Sequence, residues 1–251
     1  MVRVALDGWD SRALIVARRW VLRVARNEEV ARAFAVEARL LPELDSLPLE
    51  TPRRIAGGRR WLLTSYVEGD PYAGRADLRP LGEFLRALHA FPIERARALG
   101  AQLHDPRDDA ELFRRRVLPL LDGDERSLAA SLLDEHASAT FDPRLTHADL
   151  GPAHVLVRRG RVSGLIDWTD ARLGDPAIDL AWALSAAPEV AETYPVDDEL
   201  RRRALVYHAL GPWHEVEHGL RRGERRWVES GLAGVRARLP GATGGPDTMA
   251  G

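Results

Sequence analysis

The chain has 251 residues, with 36 basic against 38 acidic side chains, a net charge of −2, 45% apolar and 29% charged residues, and no cysteine. The length supports a proper core, and the balance excludes a general nucleic-acid binder, a disordered chain and a disulfide-stapled domain. No apolar run reaches the roughly 18 to 20 residues of a membrane span, and the N-terminus lacks a signal-peptide core, so a cytoplasmic protein without membrane or nucleic-acid partners is expected.

In chain order the pattern begins with short, β-branched-rich strands at 2–6, 13–16 and 20–25. The first two are separated by Asp7-Gly8-Trp9-Asp10-Ser11, a loop in which backbone amides or the Ser11 hydroxyl have room to cover phosphates. Residues 28–44 have helical periodicity, with Val30, Phe34, Glu37, Leu41 and Leu44 near one stripe. After Pro52, residues 61–67 make a further strand, and Glu68-Gly69-Asp70-Pro71 is a breaker cluster read as a hinge. Residues 1–69 hold 12 arginines against nine acids, and residues 70–251 hold 24 against 29. A mildly basic domain of 1–69 is thus followed by an acidic one of 70–240. Helices are expected at 78–91, 108–121, 125–136, 176–186, 197–207 and 225–239, with a disordered tail at 241–251. His208, His214 and His218 fit a partly exposed helix face better than a structural metal site.

The most informative stretch is Leu145-Thr146-His147-Ala148-Asp149-Leu150-Gly151-Pro152-Ala153-His154-Val155-Leu156-Val157, followed by Gly164-Leu165-Ile166-Asp167-Trp168. Residues 155–157 and 162–166 read as a hairpin around the turn 158–161, which carries positions 154 and 167 to the same end. A carboxylate that accepts a hydroxyl proton, followed by two magnesium ligands, is the set of parts phosphoryl transfer requires. Asp149 fits the base, Asp167 the magnesium ligand, and His147 the structural support of the catalytic turn. His154 stands where kinase-like enzymes generally carry asparagine. Either its imidazole ligates the ion, a softer donor than magnesium prefers, or it hydrogen-bonds Asp149 and leaves Asp167 as the main ligand.

No lysine occurs, so any cation that meets phosphate must be an arginine, an amide dipole or a metal. Arg23 and Glu37 have the spacing of a strand cation paired with a helix carboxylate. Gly174-Asp175-Pro176-Ala177-Ile178-Asp179 reads as a loop opening a helix, with Asp175 as its N-cap. Asp179 is expected to brace the catalytic loop, with an acceptor-facing role as the alternative.

These motifs resemble the aminoglycoside phosphotransferase (phosphotransferase enzyme) family over roughly residues 5–240, most specifically over 145–184. His154 together with Gly164-Leu-Ile-Asp-Trp-Thr169 is most similar to the macrolide phosphotransferases within it. The resemblance implies an α+β, protein-kinase-like, two-lobed fold, with a small antiparallel sheet and one helix in the first lobe and a mainly helical second lobe. It implies transfer of the γ-phosphoryl group of ATP or GTP, with Mg2+, to a hydroxyl of an antibiotic or related small molecule. Asp149 is then the base, His154 and Asp167 hold the metal, and Arg23 and Glu37 line the phosphate site. Alignment of Leu62 to Gly69 with the family hinge implies that the Ser65 carbonyl and the Val67 amide meet the purine. The alternatives are a housekeeping kinase for a sugar, amino alcohol or choline-like metabolite, and a nucleotide-binding module without turnover. A monomer or weak homodimer is expected.

Overall fold

The computed structural model describes residues 2–4 and 11–240. In chain order its elements are β1 (Val2–Val4), β2 (Ser11–Val16), β3 (Trp20–Ala25), α1 (Glu28–Leu40), β4 (Arg54–Gly58), β5 (Trp61–Ser65) and β6 (Asp70–Pro71). Then follow α2 (Arg79–His89), α3 (Ile93–Leu99), α4 (Pro106–Arg116), α5 (Gly123–Ala137), β7 (Arg144–Thr146), β8 (Val155–Arg158), β9 (Arg161–Leu165) and β10 (Arg172–Gly174). Helices α6 (Ala177–Ala186), α7 (Asp198–Arg222) and α8 (Arg225–Arg238) complete the chain. Packing divides it into two units, Met1–Leu103 with Asp142–Val196, and His104–Phe141 with Asp197–Gly251. This division runs along different lines from a boundary at Gly69. The expected tail, 241–251, lies outside the described residues.

The first unit holds an antiparallel sheet in the order β1-β2-β3-β5-β4. Its β2–β3 turn carries Ala17 and Arg18 at φ 53° and 51°, and the Arg19 N–H donates to Val16 O at 2.9 Å. Two consecutive left-handed residues match the twist of a tight hairpin. Helix α1 starts where the Asn27 side chain accepts from the Val30 N–H, and it buries Val30, Ala31, Phe34, Glu37 and Leu40. It stops earlier than its periodicity predicts: Pro42 lacks the amide that would extend it, so residues 41–43 tighten into a 3-10 turn. Helix α3 and the strands β4, β7 and β10 carry too little periodicity to be legible, since each is short and β4 ends in two glycines.

The hairpin β8–β9 forms as expected, with Arg159 and Gly160 left-handed in its turn. Two glycines let this hairpin approach Glu50 and residues 67–69 closely. A Cβ on Gly164 would stand 2.6 Å from Val67 Cγ1 and 2.8 Å from Glu50 O, and one on Gly69, at φ 149°, would meet Leu156 Cβ at 2.9 Å.

The second unit packs α4, α5, α7 and α8 around Phe113, Leu133, Leu210, Trp213, Val216 and Val235. Helix α7 runs well past residue 207, straight through Pro212. A proline there has no N–H for the carbonyl four residues earlier, which is His208 O. Arg238 Nη1 on α8 donates to that oxygen at 2.7 Å, so the helix continues with its acceptor satisfied. Of the three histidines expected on a partly exposed face of α7, His214 is exposed, His208 half-buried and His218 buried. Among the described residues no helix is long and apolar enough to cross a membrane.

Candidate active site

The turn 147–153 is tied down by buried polar side chains. Asp179, on α6 and fully buried, accepts from the His147 N–H at 2.9 Å and the Ala148 N–H at 2.8 Å. Its carboxylate also meets His89 Nε2 at 3.1 Å, and His89 Nδ1 in turn meets the Tyr194 hydroxyl at 2.8 Å. Burial alone would raise the Asp179 pKa, but these donors hold it below the usual carboxylate range. Ala148 sits at φ 65°, a conformation costly for a residue with a Cβ, so the two amide bonds keep a strained peptide in place.

His147 joins the two halves of the motif. Its Nε2–H donates to Ile166 O at 3.1 Å, and its Nδ1 accepts from the Asp149 N–H at 3.3 Å. Burial pushes this imidazole from the ordinary 6.5 down to about 4, so the ring is neutral and that pair of bonds sets its tautomer. A second link runs from the Ile166 N–H to His154 O at 3.0 Å. The Asp149 turn and the strand end before Asp167 are thereby fixed against each other.

Arg23 bridges the sheet, α1 and this strand end. Its Nη2 pairs with Glu37 Oε1, and its Nη1 donates to Asp167 Oδ1 at 2.9 Å and to Thr169 Oγ1 at 3.0 Å. The guanidinium also lies 4.9 Å over the Phe34 ring. Burial would lower the Arg23 pKa, but Glu37 and Asp167 outweigh it and the value rises. Glu37, with no exposed surface, is raised by burial, and Arg23 restrains the rise. For Asp167 the balance falls the other way: burial is overcome by Arg23, His154 and Thr169, and the group stays ionised.

His154 Nδ1 is 2.7 Å from Asp149 O and 3.2 Å from Asp149 Oδ2. Although burial disfavours its charge, Asp149 and Asp167 raise its pKa. The contact to Asp149 is the second of the two roles open to His154, and it leaves Nε2 as its only nitrogen for an ion. The donor set fits a magnesium ion bound mainly through Asp167. The Asp167 side chain is 41% exposed and ionised, and magnesium needs only one or two protein carboxylates when phosphate oxygens complete its shell. Among the described residues there is no group of three or more ligating side chains.

The remaining expected positions are dispersed around this centre. Ser11 begins β2 opposite Ala25, while Gly8, Trp9 and Asp10 of its loop lie outside the described residues. Ser65 ends β5, exchanging bonds with Arg53 through its N–H and Oγ, and Val67 is buried against the β8–β9 hairpin. Asp175 stands one residue earlier than an N-cap, because Pro176 takes that place. Its Oδ1 still accepts from the Ala177 N–H at 3.0 Å. Three participants have no role among the expectations from sequence, although Thr169 closes the Gly164–Thr169 motif. His89 and Tyr194 look like ordinary helix and loop residues, and Thr169 like part of a turn.

A model of the "Phosphotransferase enzyme family" matches residues 2–213. A protein of Bacillus subtilis (strain 168), the uncharacterized protein YcbJ, is 28% identical over 189 residues, 64% of this chain. The chain spans 60% of that relative's length. Among solved structures, the GDP and kanamycin complex of APH(2")-IIia superimposes with a TM-score of 0.84 at 23% identity, covering 95% of this chain and 92% of that one. A macrolide 2'-phosphotransferase type I gives a TM-score of 0.76 at 26% identity, with 93% and 90% covered. The apoenzyme of the macrolide 2'-phosphotransferase MphH from Brachybacterium faecium gives 0.72 at 25%, with 94% and 92% covered. The fold is therefore the α+β, kinase-like one of these structures.

Proposed function

The chain belongs to the phosphotransferase enzyme family, and on that premise we propose that it transfers the γ-phosphoryl group of ATP or GTP to a hydroxyl of a small molecule. The observation that carries the reading is the double link through His147 and Ile166, which sets the Asp149 turn and Asp167 side by side. Residues 1–69 would then hold the nucleotide, with Ser65 and Val67 at the purine and Ser11 near the phosphates. The helices within 70–240 would hold the acceptor. An antibiotic acceptor is the class supported by the likeness to macrolide 2'-phosphotransferases at 25% and 26% identity.

In this reading Asp149, 48% exposed at its side chain, orients the acceptor hydroxyl and takes its proton. His154 beside it, with its pKa raised, sits through Nδ1 against Asp149 O and Asp149 Oδ2 and so orients the carboxylate. Arg23 offers positive charge near the donor phosphates while it keeps Glu37 and Asp167 in place. A magnesium ion would be held by Asp167, and by His154 through Nε2 only when that ring is neutral, and would supply charge neutralisation on the phosphates. Asp179 keeps the turn in its left-handed conformation so that Asp149 meets the acceptor without rearrangement.

The test is a transfer assay with ATP and GTP against macrolides, aminoglycosides and simple hydroxylated metabolites. Asp149→Asn should lower turnover by about 100- to 10,000-fold without changing the melting temperature. Equal turnover in that variant refutes the assignment. Phosphorylation of sugars or choline-like acceptors alone moves the acceptor class to metabolites. Nucleotide binding with no transfer to any acceptor makes the chain a binding module.

A further inference from the structure

The hydroxyl of Thr169 occupies a position that the assignments above leave unused. It accepts from Arg23 Nη1 at 3.0 Å and lies 2.8 Å from Asp167 Oδ1 and 3.4 Å from Glu37 Oε2. A threonine hydroxyl has one hydrogen to give, and two carboxylates compete for it here. The shorter contact wins, so the hydrogen goes to Asp167. Oδ1 of Asp167 is then held from two directions, by Arg23 Nη1 at 2.9 Å and by this hydroxyl.

Asp167 needs such restraint. Its backbone lies at φ 63°, in the left-handed region that aspartate tolerates only at some cost. Its side chain is 41% exposed, so packing alone does not select one rotamer. With Oδ1 engaged twice, a turn of the carboxylate would break both contacts, and Oδ2 is the oxygen that neither of them occupies.

We propose that Thr169 is a positioning residue for divalent-cation binding: its hydroxyl fixes Asp167 so that one oxygen, Oδ2, faces the ion of the nucleotide complex. The proposal rests on the phosphotransferase reading of the site. It adds that the cation is taken by a single Asp167 oxygen and that Arg23 and Thr169 share the other.

The experiment compares wild type with Thr169→Val, which keeps the shape and removes the hydroxyl, with Thr169→Ala as a second hydroxyl-free variant, and with Thr169→Ser, which restores it. Free Mn2+ is followed by electron paramagnetic resonance in the presence of a non-hydrolysable nucleoside triphosphate analogue, and analogue binding is repeated with EDTA. Thr169→Val and Thr169→Ala should weaken Mn2+ about tenfold, the equivalent of one hydrogen bond to a charged group, while binding in EDTA stays unchanged. Thr169→Ser should bind Mn2+ within about twofold of wild type. Wild-type Mn2+ affinity in whichever hydroxyl-free variant folds overturns the proposal and leaves the phosphotransferase reading standing. So does a serine variant as weak as the valine variant, or a loss of binding in EDTA that matches the loss of Mn2+. Failure of the wild type itself to bind the Mn2+–nucleotide complex overturns both.

Discussion

Removal of the Arg23 cation is the most direct perturbation of the candidate site. In Arg23→Met, Glu37 keeps no exposed surface and loses its ionic partner on β3, while Asp167 and Thr169 each lose a donor. Breaking a buried pair from one side costs about 3 to 5 kcal/mol, and the lost contact over Phe34 adds roughly 0.5 to 2 kcal/mol. Glu37 limits the damage by taking up a proton, because burial already raises its pKa and Arg23 is what restrains it. A carboxyl whose folded pKa lies above its unfolded one contributes stability that is present at low pH and lost as pH rises through the folded value. The deficit of Arg23→Met should therefore grow from acid toward neutral pH. In Arg23→Met/Glu37→Gln the buried charge is gone, and the double variant should recover at least about 2 kcal/mol against the sum of the singles. Urea unfolding of the four proteins over a pH series measures each quantity. Single losses below about 1 kcal/mol that simply add would refute the claim that this guanidinium neutralises a buried carboxylate.

Two further outcomes follow from the same structure. His147, buried and pushed to about 4, binds fewer protons than the unfolded chain between that value and 6.5. Its contribution, about 3 kcal/mol, is complete above 6.5 and lost as pH falls toward 4, whereas the raised His154 contributes below 6.5 and loses its effect as pH rises. Histidine-ring NMR should show His147 neutral and His154 charged at about pH 6, and the reverse order would be wrong for both. Arg238→Ala should cost about 1.5 to 3 kcal/mol by orphaning His208 O beside Pro212. Adding Pro212→Ala, which returns an amide to that carbonyl, should restore most of the loss in a thermal melt. No rescue would show that Arg238 acts through some other contact.

What the sequence made legible are the places where local chemistry and tertiary role agree. The hairpin 155–165 combines β-branched strands with Arg159-Gly160 in the turn, so its period and its punctuation agree. Asp149 and Asp167 stand out because each follows a short apolar run at a turn, and Asp179 because it falls in the first turn of a helix opened by Asp175-Pro176. Short elements such as β7 and β10, three residues each, carry no period to read, since only their partners define them. Pro212 misleads in the other direction. A proline ends a helix by local rules, yet a side chain 26 positions later supplies the missing bond. His89 and Tyr194 escape notice for a related reason. Their part in the site is to satisfy one buried carboxylate, and that demand exists only once α2 and α6 lie side by side.

The absence of lysine has a geometric consequence beyond composition. An ammonium at position 23 is a compact charge that can stand beside Glu37, but it has no fixed fork with which to reach a second carboxylate at a set angle. The guanidinium spans Glu37 on α1 and Asp167 after β9 with its two terminal nitrogens. Helix and strand end are thus joined by one rigid group, where a lysine would tie only one firmly. That arrangement makes the Asp167 oxygen shared with Arg23 a poor ligand for a cation, since it already faces a positive charge. It places the demand for a second restraint on the residue best able to meet it, the hydroxyl of Thr169.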